Sequence, residues 1–345
     1  MRIAIIFDTP YADWTPDDHA RQMAKEVARW RTDEPEMEYQ IADALLKGGH
    51  EVRLVGVHHE LEEARVQLAE WRPDLVVNGV EGFRDQAELD YLLPALLEAE
   101  GYHYTGSPPL ALLVTRNKAM SKKVLAFHGI QVPGFATFRP GEAVTSPRNL
   151  RFPLIVKPLQ TDASVGIARA SVVGDLEALA ERVGFVHERF SQPAIVEEFI
   201  EGRELYASVL GNGDRLQILP FTEMVFDRTK SRPEERIATR SAKWDEPYRE
   251  RRGIRNVFAR PISKAARARI EEICRTAFRA LWLRDYARLD VRLTPAGEVW
   301  FIEANANPFI SYGHDVANAA EKAGMDYYAF IQRVIAEASK RYEHE

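Results

Sequence analysis

The first third of the chain alternates short apolar runs with longer amphipathic stretches. Apolar runs over 2–8, 51–57 and 74–80 predict strands, and the stretches 35–47 and 60–71 between them have helical periodicity. This β-α-β alternation predicts a parallel, doubly wound sheet. The other elements predicted here are helices over 17–30 and 87–100, a short strand over 102–105, and a helical stretch from Pro108 to about His128.

The pattern changes after Phe152, because strands now follow one another with few helices between them. Strands are predicted over 153–158, 167–173 and 194–199, and residues 204–210 and 215–221 form a hairpin. Later elements are helices over 176–183, 264–282 and 327–341, and two strands that carry Asp290 and Glu303. The predicted fold class is therefore α/β, with an α+β part.

The segment 227–256 shows no clear period and is rich in charged residues. A charge run of this kind is usually a solvated loop. The alternative is a mobile lid that closes over a polyphosphate or an acidic substrate.

Composition excludes several classes of protein. The 345 residues are 46% hydrophobic and carry a net charge of −6, which argues against a nucleic-acid partner. No run of about 18 apolar residues occurs, so we expect no membrane span, and the apolar run 2–8 is too short for a signal peptide. Cys274 is the single cysteine, which favours a reducing, cytoplasmic location.

Hard oxygen ligands stand close together near the end of the chain. Asp290 and the pair Glu303 and Asn305 lie in two β-prone runs joined by the turn signal 294–297. An antiparallel hairpin would bring these three side chains together, in a set that suits Mg²⁺ with phosphate and water. The alternative is a hairpin with two solvated acids.

Three further segments have the chemistry of a nucleotide site. Lys157 ends an apolar strand, and Lys118 follows Asn117; both could neutralise phosphate, or could extend their ammonium groups to water. The loop 160–166 could cradle an anion or be a plain hairpin loop. The strand that ends in 197–204 could hold ribose and adenine, or end in solvated acids.

Taken together and in this order, these segments resemble the ATP-grasp superfamily, and most closely its D-alanine–D-alanine ligase branch. Each motif alone is unspecific, but their shared order over some two hundred residues is a strong joint signal. The motifs are Tyr104–Ser107 with Asn117, Lys118 and Lys122; Phe152–Pro158 with Ser164–Gly166; Glu197–Glu204; and Arg288–Asp290 with Glu303–Asn305.

The resemblance implies an ATP-grasp fold of three domains: a Rossmann-like domain over 1–112, a central lid over 113–196 and a C-terminal domain over 197–345. It implies that ATP binds between the last two domains, with two Mg²⁺ ions that Mn²⁺ can replace. It also implies an ADP-forming ligase in which a small-molecule carboxylate becomes an acyl phosphate that an amine attacks. A homodimer formed through the first domain is the assembly implied.

The resemblance also assigns roles to individual residues. Arg288 and Ser164 would be catalytic, and Asp290, Glu303 and Asn305 would hold the metal. Lys118 and Lys157 would neutralise phosphate. The remaining nucleotide-binding residues would be Glu197 for the adenine amino group, Glu204 for ribose, and Glu198, Phe199, Ile200, Ile302 and Lys243, with Ile155 as a further wall of the adenine pocket.

Four departures from the branch affect the amino-acid half of the pattern. The segment 8–14 lacks a glycine-rich, glutamate-bearing motif, for which Asp8, Asp13 or Glu81 could substitute. The chain has Ala163 for a serine, Trp244 for a tyrosine and Phe309 for a glycine. We therefore expect substrates other than D-alanine. The alternatives are a true D-alanine–D-alanine ligase and a nucleotide-binding protein without ligase activity.

Overall fold

A computed structural model describes residues 1–30, 34–162, 164–232 and 235–343. The first of its three sheets is parallel, with β1 (Arg2–Asp8) between β2 (Glu51–Val57) and β3 (Leu75–Gly79). This confirms the parallel sheet predicted from the alternating pattern.

The helices of this part are α1 (Pro16–Val27), α2 (Met37–Lys47), α3 (Leu61–Trp71) and α4 (Leu92–Ala99). A 3₁₀ turn at Ala87–Leu89 replaces the start of the predicted helix 87–100. Only a single bridge, between Val76 and Tyr104, forms in the predicted strand 102–105.

The helical stretch after Pro108 is divided in two, where one helix was predicted. Asn117 leaves the helical conformation at φ −81° and ψ 96°, and its side chain accepts a hydrogen bond from the backbone N–H of Met120. It thereby caps a new helix, which satisfies an otherwise unpaired donor. The two helices are α5 (Pro109–Arg116) and α6 (Lys118–Phe127), so Lys118 occupies the first position of α6.

The second sheet is antiparallel, and α7 (Leu176–Phe190) packs on it. Its strands, in their order across the sheet, are β4 (Phe135–Phe138), β7 (Ala194–Glu198), β5 (Leu154–Pro158) and β6 (Val172–Val173). The predicted strand 167–173 is wrong except for its last two residues. Arg182 donates to the Gly166 carbonyl at 2.6 Å and to Ser171 Oγ at 2.9 Å, which holds Arg169–Ser171 in a 3₁₀ turn. Strand β4 was not predicted from the sequence.

The strands of the third sheet, in their order across it, are β11 (Arg255–Phe258), β10 (Thr222–Val225), β8 (Arg203–Leu210), β12 (Tyr286–Leu293) and β13 (Val299–Asn305). A short strand, β9 (Gln217–Ile218), also pairs with β8. The segment 227–256 has more regular structure than its sequence indicates, because Thr239 and Asp245 cap two short helices within it. The helices are α8 (Arg240–Trp244), α9 (Glu246–Arg252), α10 (Lys264–Ala280), α11 (Asp315–Lys322) and α12 (Tyr327–Tyr342).

Helices from distant parts of the chain join the sheets. Phe330 and Ile331 of α12 pack in one apolar core with Ile41 and Leu45 of α2. Residues of α5 and α6 share a core with the third sheet. The domain boundaries proposed from the sequence stay a prediction. Within the described residues, no helix is both long and apolar enough to cross a bilayer.

A buried carboxylate ties the segment that follows the first sheet to the C-terminal helix. Asp285 is fully buried and accepts hydrogen bonds from the backbone N–H of Gly106 at 2.8 Å and from Asn212 Nδ2 at 2.9 Å. Arg341 of α12 donates to both of its oxygens, at 3.2 and 3.1 Å. Because a buried charge is costly without partners, these contacts make Asp285 a structural anchor.

We expect Asp285→Asn to lower the free energy of unfolding by about 3 kcal/mol or more, because it leaves the Arg341 guanidinium buried without its counter-charge. Urea unfolding at pH 7 measures this. Asp214→Asn removes an exposed acid nearby and should change stability by less than about 0.5 kcal/mol. Equal stabilities for the two variants would contradict the anchoring role.

Candidate active site

The β12–β13 hairpin brings the predicted acids together. In its antiparallel register Asp290 lies opposite Glu303, and Arg288 lies opposite Asn305. The register shifts after Asp290, where Val291 pairs with Phe301 and Ile302 is the extra residue. Strict alternation would put Phe301 and Glu303 on the same face of the strand. The bulge at Ile302 instead lets Phe301 stay in the core while Glu303 joins Asp290.

Cations surround these two carboxylates. Arg288 donates to both oxygens of Asp290, from Nε at 2.8 Å and from Nη2 at 3.0 Å. Burial raises the pKa of Asp290 to about 6, against the pull of Arg288, and the negative charge of Glu303 adds to the rise. Burial also disfavours the ionised form of Glu303, but Lys118, Lys243, Lys157 and Arg288 outweigh it and hold that pKa at about 2.

A second buried acid, Glu197, lies between two lysines. Lys157 Nζ donates to Glu197 Oε2 at 2.8 Å, and Lys122 Nζ lies 3.0 Å from Oε1 without forming a well-aligned hydrogen bond. Burial opposes ionisation of Glu197, but both lysines lower its pKa below the ordinary value. Lys122 shares this carboxylate with Lys157 and is fully buried, so burial lowers its own pKa. Glu197 Oε1 therefore retains the capacity to accept a hydrogen bond.

Arg292 fixes the residues at the end of the predicted adenine segment. Its Nη2 donates to Glu204 Oε2 at 2.8 Å, and its Nη1 donates to the Ile200 carbonyl at 3.0 Å. Its guanidinium lies 5.3 Å from the centre of the Phe199 ring. Neither Arg292 nor Lys122 was among the predicted site residues, although Lys122 belonged to one of the motifs.

Most of the predicted residues line one cleft between the second and third sheets, here called the first cleft. Ser164 lies in it with φ +61°. Ala163 lies outside the described residues. The predicted residues in this cleft are Ile155, Lys157, Ser164, Glu197, Glu198, Phe199, Ile200, Glu204, Lys243, Asp290, Ile302 and Glu303, and lining residues that were not predicted include Pro133, Ile167, Ile237, Ala238 and Arg292.

Lys118 is not among the residues that line the first cleft. Its ammonium donates to the Thr161 carbonyl at 2.6 Å and lies 3.5 Å from Asp162 Oδ1, which holds it against the loop after β5. Its charge nevertheless lowers the pKa of Glu303. Lys118 is therefore close enough to act on the same site electrostatically.

A second cleft begins where the first ends and runs between the first and third sheets. Lys243 lines both clefts, and Arg288 and Asn305 line the second. Trp244 and Phe309, two of the residues that depart from the ligase pattern, also line it. The two clefts thus meet at the hairpin that carries the paired acids.

The first sheet contributes acids near this second cleft. Glu81 lines it, and the Glu81 backbone N–H donates to Asp8 Oδ1 at 3.0 Å. Both carboxylates are open to solvent yet ringed by protein, and this partial burial raises the pKa of Asp8 to about 6 and that of Glu81 to about 7. Asp13 is exposed and is not a lining residue.

The residues at the hairpin fit a magnesium ion that also binds phosphate. Among the described residues, no three His, Cys, Asp or Glu side chains cluster as a complete metal site. Asp290 and Glu303 supply two carboxylates, and the Asn305 amide nitrogen has no hydrogen-bond partner, so that amide can turn its oxygen toward an ion. Mg²⁺ commonly takes one or two carboxylates and completes its shell with phosphate and water.

The chain is similar to known proteins along most of its length. The family model described as the D-ala D-ala ligase C-terminus matches residues 124–336. An uncharacterised protein, y4sG, of Sinorhizobium fredii is 31% identical over 78% of this chain and 75% of its own length. The D-alanine–D-alanine ligase of Aquifex aeolicus is 29% identical over 86% of this chain and 92% of its own length. A D-alanine–D-alanine ligase from Bacillus anthracis, solved in complex with ATP, shares the fold with a TM-score of 0.73 at 19% identity over the whole of both chains.

The Glu197 cluster generates a stability prediction. We expect Glu197→Gln to lower the free energy of unfolding at pH 7 by about 3 kcal/mol or more, because two buried lysines lose their shared counter-charge. The folded-state pKa of Glu197 is depressed, so its contribution is present above the unfolded-state pKa and is lost as the pH falls through the folded value. The difference between variant and wild type should therefore shrink in acid.

Urea unfolding at pH 7 and in acid measures this difference. Glu198→Gln is the matched control, because Glu198 lies next in the chain, is only partly buried and accepts a backbone hydrogen bond that glutamine can keep. A Glu197→Gln protein as stable as the control at pH 7 would contradict the assignment.

Proposed function

Because the chain belongs to the D-alanine–D-alanine ligase family of ATP-dependent, ADP-forming C–N ligases, we propose that it joins an amino acid or small peptide to an amine, with substrates other than D-alanine. The observation that carries this proposal is the meeting of the two clefts at Arg288 and Asp290. Both reactants of an acyl transfer can reach that point from opposite sides.

ATP would occupy the first cleft. Its adenine would lie against Ile155, Phe199 and Ile302, with the amino group donating to Glu197 Oε1, the acceptor that has no aligned partner. Ribose hydroxyls would meet Glu204, and the phosphates would extend toward Lys157, Lys243 and Lys118. Bound Mg²⁺, proposed as two ions that Mn²⁺ can replace, would neutralise phosphate charge beside Asp290, Glu303 and Asn305.

The chemistry would proceed in two displacements. A carboxylate oxygen of the donor attacks the γ-phosphorus, the bond to ADP breaks, and an acyl phosphate forms. The acceptor nitrogen then attacks the acyl carbon, loses a proton, and inorganic phosphate leaves. Arg288 would stabilise negative charge on the transferring phosphoryl group and then on the tetrahedral intermediate. Ser164, on the loop over the first cleft, would help hold the phosphates.

The donor's ammonium group has a plausible partner in Asp8 and Glu81. Two partly buried carboxylates with raised pKa values are best stabilised in the ionised form by a bound cation. This pair would substitute for the glutamate that the segment 8–14 lacks. The side chain of Asn78, which is buried and has an amide nitrogen without a partner, lines the same cleft and could donate to a polar group of the donor.

The second candidate is a true D-alanine–D-alanine ligase, which is the name that several relatives carry. Trp244 and Phe309 weigh against it, because they place aromatic rings where a small acceptor would need close polar contacts. A homodimer and the three-domain division at residues 112 and 196 remain part of the proposal.

We expect Asp290→Asn and Glu303→Gln each to lower turnover by more than about tenfold, equivalent to ~1.4 kcal/mol of barrier, because each removes a proposed metal carboxylate. ADP release under saturating ATP and Mg²⁺ measures this, and circular dichroism checks the fold. Glu298→Gln in the exposed turn of the same hairpin is the control and should retain full turnover. Turnover within threefold of wild type would remove the metal assignment.

We expect little or no D-alanyl-D-alanine from purified protein with ATP, Mg²⁺ and millimolar D-alanine. The physical reason is that the segment 8–14 lacks the glutamate that would pair with the donor's ammonium group, and that Trp244 and Phe309 stand where the ligase pattern has a tyrosine and a glycine. Product analysis by mass spectrometry measures it, alongside a screen of amino acids and dipeptides for ADP release with hydroxylamine to trap the acyl phosphate. D-Alanine turnover on the order of 1–10³ per second would establish the second candidate instead.

A further inference from the structure

The first residue of α11 places a carboxylate beside the proposed reaction centre. Asp315 Oδ2 lies 3.6 Å from Arg288 Nη1, and Asp315 Oδ1 lies 3.4 Å from both Thr222 Oγ1 and Asn256 Nδ2. The side chain lines the second cleft and remains 20% exposed. Arg288 therefore lies next to two carboxylates, Asp290 and Asp315, while Lys243, which lines both clefts, acts on Asp290 and Glu303.

Aromatic rings line the same cleft as this carboxylate and lie around the residue before it. His314 precedes Asp315 in the chain, and its ring centre lies 4.8 Å from that of Phe309 and 6.3 Å from that of Trp244. Both Phe309 and Trp244 are exposed, at 38% and 56%. Burial lowers the pKa of His314, which keeps its ring neutral at pH 7 and adds no positive charge here. Aromatic faces beside a carboxylate attract a cation.

From these contacts we propose that the acceptor amine carries a second positive charge, which pairs with Asp315 beside the rings of Trp244 and Phe309. The inference rests on the proposed ligase function and names its acceptor class: a diamine, or an amino acid with a basic side chain. An acceptor whose carboxylate lay at this point would meet Asp315 and be repelled, so the same group rejects small zwitterions.

Apart from Arg288 and Lys243, three arginines are among the residues that line the second cleft. Arg116 pairs with Asp90 and Asp162, and Arg249 lies near Glu246 and donates to the Ala242 carbonyl. Arg255 is exposed on the edge strand β11. Arg255 can therefore pair with the carboxylate of an acceptor that is a basic amino acid. A diamine has no carboxylate and needs no such cation.

The test compares acceptors that differ only in the second charge: cadaverine with pentylamine, and lysine with norleucine. With a donor identified by hydroxylamine trapping, we expect kcat/KM to favour the charged member of each pair by at least about tenfold, the scale of one charge-assisted hydrogen bond. Asp315→Asn should abolish that preference, chiefly through KM, and Asp315→Glu should restore part of it. Glu321→Gln, which removes an exposed acid from the same helix, should leave the preference intact.

Calorimetric titration of cadaverine and pentylamine into the full-length protein supplies a readout that does not depend on turnover. We expect only cadaverine to bind, and its affinity to fall at least about tenfold in Asp315→Asn. Equal binding of the two amines, or a preference unchanged by Asp315→Asn, would overturn the inference. Failure of every donor to give a hydroxamate would instead contradict the proposed function, whatever the amine titration shows.

Discussion

The structure depends on keeping two carboxylates, the buried Asp290 and the partly buried Glu303, next to each other in a β-hairpin. Like charges at cross-strand positions repel, and burial adds to the cost of ionising them. The protein meets this cost with cations from separate elements: Arg288 from β12, Lys157 from β5, Lys118 from α6 and Lys243 from α8. The two sheets and the helices around them are therefore arranged so that their basic side chains converge on one point.

This convergence explains why elements distant in sequence pack as they do. Helix α6 buries Leu125 in the core of the third sheet, and the same helix places Lys118 against the loop after β5 and Lys122 beside Glu197. Apolar packing thus sets the position of groups whose charge would otherwise oppose burial. Asp285, directly before β12, likewise links separate parts of the chain, because it binds Gly106, which follows the first sheet, and Arg341 of α12.

Much of this could be predicted from the sequence. The parallel sheet followed from regular alternation, and the hairpin followed from two β-prone runs joined by a turn signal. The bulge at Ile302 could not be foreseen, because no glycine or proline marks it and only the competition between Phe301 and Glu303 for opposite faces requires it. Arg292 was not predicted, and Lys122 was placed in a motif without a role, because each looks like an ordinary solvated cation in its element. Strands β10 and β11 were missed because they are short and border a charged segment.

Lys122 also joins the second sheet to the third. Its ammonium donates to the Ile302 carbonyl at the bulge and faces Glu197 on the second sheet. Any opening of the second sheet away from the third must therefore strain or break a buried charged contact. The position of the two sheets that form the first cleft is therefore tied to the burial of one lysine side chain, because a buried ammonium group is costly to leave without partners.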